Sequence, residues 1–343
     1  MTGRSAAILG CLGPELLPEE ATFFRDADPF GFILFARNVQ SPQQVRRLTS
    51  ELRAAVGRDA PILIDQEGGR VQRLRAPHWR EWSPPLETVE RARDPARAMW
   101  VQSRLIAYEL RALGIDANCA PCADVARDST HPFLKNRCYG YDPNTVSVIA
   151  KAVAEGLLAG GVLPVMKHLP GHGLAKADTH HDLPTVTESA QSLNAIDFVA
   201  FRDLSNLPMA MTAHIVFAAY DPQRPATQSP EMVRVIREEI GFSGLLMTDD
   251  LNMQALSGTL SSRTAASMAA GCDIALHCNG VMAEMQEVVA ACGDQSAATK
   301  TRAQAALSRR HPPEPVDIEA LEAEFRSLMS GEGLSRAVAE VNV

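Results

Sequence analysis

Val162-Leu163-Pro164-Val165-Met166-Lys167-His168-Leu169-Pro170-Gly171-His172-Gly173 is the stretch that decides the fold. Five apolar residues, the length of a short buried strand, run straight into a lysine and a histidine and then into a proline and glycine loop. A continuous apolar run of this kind suits a strand covered on both faces, as in a parallel sheet flanked by helices. Seven other runs share the pattern: Ala6 to Leu12, Gly31 to Phe35, Pro61 to Ile64, Ala117 to Ala123, Met209 to Ala213, Leu245 to Met247, and Asp273 to Leu276. The spacing between them is too long for hairpins. Helical patterns fill it at Pro42 to Val56, Arg93 to Leu113, Pro143 to Leu158, Ser189 to Ser205, Pro230 to Ile240 and Thr259 to Ala270.

Eight βα units predict an α/β fold, a single (β/α)8 barrel. The polar residues that end the runs favour a barrel over an open sheet. Arg37 and Asn38 follow the second run, Asp65 and Glu67 the third, and Asp124 the fourth. Lys167 and His168 follow the fifth, His214 the sixth, Asp249 and Asp250 the seventh, and His277 and Asn279 the eighth. In a closed barrel all these strand ends meet at one rim, the face that carries active sites. From Asp294 onward the strand signals stop; Ser296 to Arg310 and Val316 to Met329 read as helices separated by prolines. The expected organisation is one barrel domain over 1–343, with 295–343 a helical tail on its outside.

With 46% hydrophobic and 22% charged residues, the chain has the composition of a globular protein. Its net charge of −8, without a basic run, argues against a nucleic-acid partner. No segment reaches the roughly 20 apolar residues of a membrane span, and the run after Arg4 reads as a first buried strand rather than a signal sequence. Seven scattered cysteines, several within apolar runs, fit a reducing, cytoplasmic setting. Cys119 and Cys122 form a C-x-x-C, but no second pair follows at zinc spacing, so they read as core residues.

Residues 167–180 hold three histidines, two lysines and an aspartate, interrupted by Pro170, Gly171 and Gly173. Asp178 and His180, two apart, leave the same face of an extended loop, and a carboxylate beside an imidazole orients and charges it for acid–base work. Period two sends one of Asp249 and Asp250 into the barrel mouth and the other away. A carboxylate there suits a nucleophile or electrostatic stabiliser; the alternative is a cap for the next helix. Asp65 with Arg73 suggests a polar clamp, and Arg137 taken alone reads as a solvated arginine. Nucleotide-binding glycine loops, the H-E-x-x-H zinc motif and the G-x-S-x-G nucleophile elbow are all missing from the sequence. Metal-assisted hydrolysis through His168, His172, His180, His181 and Asp178 stays open on residue types alone, with Lys167 arguing against it.

Taken together, DQEGGRVQR (65–73), KHLPGHG (167–173), ADTH (177–180) and TDDL (248–251) resemble the signature segments of glycoside hydrolase family 3, in its NagZ-type β-N-acetylglucosaminidase branch. The resemblance extends through GFILFARN, DANCAPCADV, MTAHIVF and AAGCDIALHCN, in the same order along the chain. It implies a (β/α)8 barrel that removes terminal β-linked N-acetylglucosamine with retention, and in this branch a muropeptide substrate from cell-wall recycling. Carried over by motif, Asp249 is the nucleophile, His180 the proton donor and Asp178 its partner. Asp65, Arg73, Arg137, Lys167 and His168 hold the sugar's hydroxyl and acetamido groups. No cofactor and no metal are implied, and a monomer is expected. Leu169, often Phe in the family, and Thr179, often Ser, depart from the pattern without touching a catalytic group. The rival readings are a phosphorylase, a metal-dependent barrel hydrolase and a non-catalytic sugar-binding protein.

Overall fold

The computed structural model describes residues 2–175 and 182–330. All eight apolar runs are strands: β1 (Ser5–Gly10), β2 (Pro29–Leu34), β3 (Ile62–Ile64), β4 (Ala117–Asn118), β5 (Leu163–Leu169), β6 (Met209–Thr212), β7 (Leu245–Asp250) and β8 (Ile274–His277). Each pairs in parallel with its sequence neighbours, and β8 pairs back onto β1 through Ala7 opposite Ala275 and Leu9 opposite His277, so the sheet closes. Nearly every strand residue is buried, because side chains of one face fill the barrel and those of the other lie under helices. At the β1/β8 seam the backbones come so close that a Cβ on Gly10 would meet the Cys278 carbonyl oxygen at 2.2 Å.

The helices begin where short polar caps precede proline. Ser41 accepts from Gln44 N at the start of α1 (Pro42–Val56), Asp94 from Arg97 N at α2 (Pro95–Ala112), and Asp142 from Thr145 N at α3 (Pro143–Ala159). In each, the side chain satisfies an orphan N–H, and proline occupies a position whose N–H has no partner anyway. The stretch expected as one helix from Ser189 to Ser205 is two, Ala190–Ala195 and Val199–Asp203. Between them Asp197 takes the Arg127 guanidinium at 2.9 Å, and the chain leaves helical geometry to make that contact. The Pro230 helix continues over Val235–Glu239 as a wider π turn. Further helices, Pro18–Ala27 and Met282–Cys292, complete the first and eighth units.

At the end of the barrel opposite the rim, buried aspartates pair with arginines of the barrel helices and of the C-terminal segment. Buried Asp273 takes Arg237 and Arg302 at 2.7 and 2.6 Å, and buried Asp116 takes Arg53 and Arg310 at 3.2 and 2.7 Å. Arg302 belongs to the helix Ala297–Ser308. The last described helix, Ile318–Met329, is tied to α2 by the bidentate Arg97–Glu324 pair.

Candidate active site

The rim residues converge on a cavity of about 250 Å³ at the C-terminal ends of the strands. Its polar wall contains Asp65, Arg73, Arg137, Lys167 and His168, and Asp249 and Asp250 lie in the same cavity. Every sugar-site candidate from the sequence therefore reaches one place. Asp178 and His180, the candidate acid–base pair, lie outside the described residues.

Local folding explains how distant residues meet. After β3 the chain makes a small hairpin, Gln66–Gly68 against Val71–Gln72, turned by Gly68 and Gly69 at φ 120° and 57°, values that glycine adopts without strain. Gln66 Oε1 accepts from the backbone N–H groups of Arg73 and Leu74 at 2.8 and 3.0 Å. That returns Arg73 towards Asp65, whose Oδ2 it meets at 3.0 Å. Lys167 and His168 are successive residues on β5. Arg137 arrives from the long connection after β4, where the short helix Pro132–Lys135 precedes it.

The side chains form a chain of alternating charge. Lys167 Nζ lies 2.8 Å from Asp65 Oδ1 and 2.6 Å from Glu67 Oε1. Arg137 grips Glu67 with two parallel bonds, Nε to Oε2 at 2.9 Å and Nη2 to Oε1 at 2.8 Å, the geometry that makes arginine–carboxylate pairs strong. Arg137 Nη2 then approaches His168 Nε2 at 3.4 Å, and His168 Nδ1 lies 2.8 Å from Asp124 Oδ2. Asp124 Oδ1 also accepts from His172 N at 2.7 Å. Because Asp124 accepts at Nδ1, the imidazole hydrogen sits there and Nε2 offers its lone pair towards Arg137.

Burial by itself would raise the carboxyl groups here, and the neighbouring cations and hydrogen-bond donors overcome it. Lys167 and Arg73 hold Asp65 well below the usual range, Arg137 and Lys167 bring Glu67 down to about 2, and His168 lowers Asp124. Lys167 loses to burial but gains more from Asp65 and Glu67, so it stays charged. His172 is driven down to about 4 by burial and by His168, and is neutral at neutral pH. Asp249 likewise pays for burial, but His214, His168 and the N–H of Asp250 lower it, so it stands as a carboxylate.

Period two does not separate the two acids. Both line the cavity, because the β7/β8 register shifts between Met247 and Asp250. Asp249 Oδ1 accepts from Asp250 N at 2.8 Å, and Asp250 Oδ1 accepts from Asn252 N and Cys278 N, both at 3.2 Å. Burial and the neighbouring Asp249 raise Asp250 to about 6. Below them His214, fully buried, has Nδ1 on Thr227 Oγ1 at 2.8 Å and donates from Nε2 to the Asp250 carbonyl at 3.0 Å.

Other rim residues serve the backbone. Arg37 and Asn38 donate to the Cys11 carbonyl, and Asn38 also to that of Gly13. His277 is buried outside the cavity lining, and Asn279 bonds Glu284. Arg137, a solvated residue if taken alone, is buried. Glu67 and Asp124 were visible at strand ends, yet as anchors of the sugar-site donors Arg137, Lys167 and His168 they lie outside the candidate set; only their pairing reveals that part. Phe35, Phe133 and Met253, which line the cavity too, carry no polar signal in sequence.

The model of the glycosyl hydrolase family 3 N-terminal domain matches residues 19–309. The β-hexosaminidase of Alkalilimnicola ehrlichii is 38% identical over 280 residues, 79% of this chain and 80% of that one. That of Stenotrophomonas maltophilia (strain R551-3) is 35% identical over 282 residues, 79% and 83% of the two chains. Among solved structures, NagZ from Neisseria gonorrhoeae in complex with N-trifluoroacetyl-D-glucosamine superposes with a TM-score of 0.83 at 29% identity, covering 96% of each chain.

Proposed function

This chain belongs to glycosyl hydrolase family 3 and is a glycosidase, and we propose that it is a retaining exo-β-N-acetylglucosaminidase acting on muropeptides in peptidoglycan recycling. The observation that carries the reading is the meeting, in one cavity, of the ionised Asp249 with the cation–carboxylate wall of Asp65, Arg73, Arg137, Lys167 and His168. Ligand cavities usually span about 300–1,000 Å³; one of about 250 Å³ suits a single terminal sugar, which is exo action. The β-hexosaminidase relatives and the amino-sugar in the gonococcal complex support the acetamido sugar as that residue.

In the proposed reaction Asp249 attacks the anomeric carbon and forms a glycosyl-enzyme, which water then hydrolyses with net retention. It is ionised before substrate arrives, as a nucleophile must be, and its Oδ1 is held by the Asp250 N–H. Asp65, Arg73, Arg137, Lys167 and His168 bind the hydroxyl and acetamido groups; their mutual ion pairs fix them before the sugar binds, so little ordering is left to do on binding. His180, charged and oriented by Asp178, protonates the leaving oxygen and then removes a proton from water. The carboxylate raises the protonated fraction of an imidazole whose ordinary pKa is about 6.5. One chain supplies the whole polar wall, which supports a catalytic unit that can work as a monomer. Seven free, buried cysteines support a cytoplasmic setting, and no helix among the described residues is long and apolar enough to cross a membrane.

The test is release of aglycone from a chromogenic N-acetyl-β-glucosaminide and the matching β-glucoside, with N-acetylglucosaminyl-1,6-anhydro-muropeptide as the third substrate, in phosphate-free and phosphate buffers. The expected result is strong preference for the acetamido sugars, turnover of the muropeptide, and free sugar in both buffers. Sugar 1-phosphate in phosphate buffer would make the enzyme a phosphorylase, and indifference to the acetamido group would remove the specificity.

A further inference from the structure

Asp197, where the expected long helix breaks, makes its contact away from the sugar cavity. It is 2% exposed, lies between the helices Ala190–Ala195 and Val199–Asp203, and takes Arg127 Nη2 at 2.9 Å. The pair is a poor device for stability. It has one bond where an arginine–carboxylate pair can make two, and Asp197 Oδ1 and Arg127 Nε, both buried, meet no partner among the described residues. Burial raises Asp197 to about 6 in spite of Arg127, and the nearby Glu188 and Asp124 charges add to the rise. A buried pair with unmet atoms stabilises a fold little or not at all, so its role lies in what it brings together.

Two backbone segments meet at this pair, and both lead to the sugar wall. One follows β4 and runs from Asp124 through Arg127 to His131; the other ends β5 and turns from His168 to Ala175. Gly171, at φ 146°, lies against Asp197: a Cβ placed on it would be 3.3 Å from that of Asp197. A Cβ on Gly173 would overlap the Val125 carbonyl, so the two backbones touch there. Thr130 Oγ1 accepts from Arg127 N at 2.6 Å and donates to Gly173 O at 2.5 Å, and His131 N donates to Ala175 O at 3.2 Å. The turn thus rests on Asp197 at Gly171 and on the Arg127 segment at Gly173, and the ion pair ties these two supports together. Within the turn, His172 N donates to Asp124 Oδ1 at 2.7 Å, while Asp124 Oδ2 takes His168 Nδ1 at 2.8 Å.

We propose that Arg127 and Asp197 are positioning residues for sugar binding: their pair keeps the 171–175 turn on the Asp124 segment and, through Asp124, fixes the hydrogen on Nδ1 of His168. Neither residue lines the cavity, so neither touches the sugar. What they set is the face that His168 presents to it. With the hydrogen on Nδ1, Nε2 stays an acceptor, 3.4 Å from the Arg137 Nη2 donor and open to a sugar hydroxyl. Loss of the pair lets the two supports separate; the His172 N–H then leaves Asp124, and Asp124 turns from the imidazole. The effect on binding rests on the sugar-site reading above, whereas the link from Asp197 to the His168 hydrogen does not.

The experiment compares wild type, Asp197→Asn and the double variant Arg127→Met/Asp197→Asn. It reads the His168 Nδ1 proton by ¹⁵N-edited NMR, assigned with His168→Gln, and the dissociation constant of N-acetylglucosamine by calorimetry. An imidazole N–H bonded to a buried carboxylate gives a slowly exchanging, downfield signal. The wild type is expected to show it; both variants should lose it and bind the sugar about 10-fold more weakly, the upper end for one hydrogen bond. Asp197→Asn strands the Arg127 charge and should melt lower. The double variant strands no charge and should melt close to wild type, so weak binding there is a loss of position and not of stability; it also decides the matter if Asp197→Asn does not fold. A folded double variant that keeps the signal or the wild-type affinity makes the pair merely structural and overturns the proposal, as does a wild type without the signal. If the wild type binds no N-acetylglucosamine, the sugar-site reading fails, while the His168 signal across these proteins still decides whether Asp197 acts on it.

Discussion

Replacing Glu67 by Gln removes one negative charge from the sugar wall and little of its shape. In the native site two carboxylates, Asp65 and Glu67, serve three cations, Arg73, Lys167 and Arg137. The substitution leaves three cations on one carboxylate. It also turns an amide NH₂ towards Arg137 or Lys167, because a carboxamide has one accepting oxygen where Glu67 uses two. Removing one partner of a buried pair costs about 3–5 kcal/mol, since the surviving charge stays buried. Taking about 3 kcal/mol, and about 2–4 °C per kcal/mol for a large domain, the melting temperature should fall by roughly 6–12 °C. Arg137 and Lys167 both lose a fixed bearing on the sugar. If each loses about 1.4 kcal/mol of transition-state binding, kcat/KM for an N-acetyl-β-glucosaminide drops by about 10². Differential scanning calorimetry and steady-state kinetics are the assays, with Glu67→Asp, which keeps the charge, expected to lie between. Because Glu67 is held down to about 2, its stabilising effect is present above the unfolded value of about 4.3 and is lost as pH falls towards 2. The difference between wild type and Glu67→Gln should therefore be flat from about pH 5 upward. A melting temperature within 2 °C of wild type together with kcat/KM within threefold, each about the resolution of such comparisons, would refute the argument that this carboxylate holds the wall.

His180→Ala should lower turnover of a poor leaving group by about 10²–10⁴, with a smaller loss for an activated aryl leaving group in the first step; equal losses on both would remove the acid assignment. Buried His172, at about 4 against an ordinary 6.5, costs stability as pH falls from about 6.5 towards 4, because only the unfolded chain takes up the proton. The loss is on the order of 3 kcal/mol; denaturant unfolding of His172→Gln should show a correspondingly shallower decline, and parallel curves would count against a neutral, buried imidazole. Asp273→Ala strands Arg237 and Arg302 at the far end of the barrel and should cost about 3–5 kcal/mol. At a temperature where the variant is folded its KM should stay within a factor of about two, surface-like for a residue outside the site; a large KM change would mean that the two ends of the barrel are coupled.

The barrel was legible because strands buried on both faces must be apolar throughout, and helices filled the intervals between such runs. Ala117 to Ala123 reads as a longer strand than β4 proves to be: the ladder stops at Asn118, and Cys119 to Ala123 continue as irregular backbone that bonds Ile64 and Lys167 one residue at a time. The long Ser189 to Ser205 helix failed because Asp197 is recruited by Arg127, a partner 70 residues away that no local pattern contains. At the site, Asp65, Lys167, His168 and Asp249 were legible as polar residues at strand ends, Arg73 as the clamp partner of Asp65, and Arg137 through the family resemblance alone. What stayed hidden was pairing: Glu67 as the seat of two cations, Asp124 as the group that fixes the His168 tautomer, and His214 as the support under Asp250. Each depends on which strands become neighbours. The orientation of Asp250 was misjudged because a register shift, invisible in a period-two count, turns it into the cavity.

The central claim is that Asp249 becomes covalently linked to the sugar. The direct measurement is trapping with an activated 5-fluoro N-acetylglucosamine donor, followed by proteolysis and mass spectrometry of the peptide that contains Leu245 to Leu251. One sugar attached to Asp249, with no adduct in Asp249→Ala, is the expected result. An adduct on Asp250, or release of the inverted anomer with no adduct at all, would contradict the account.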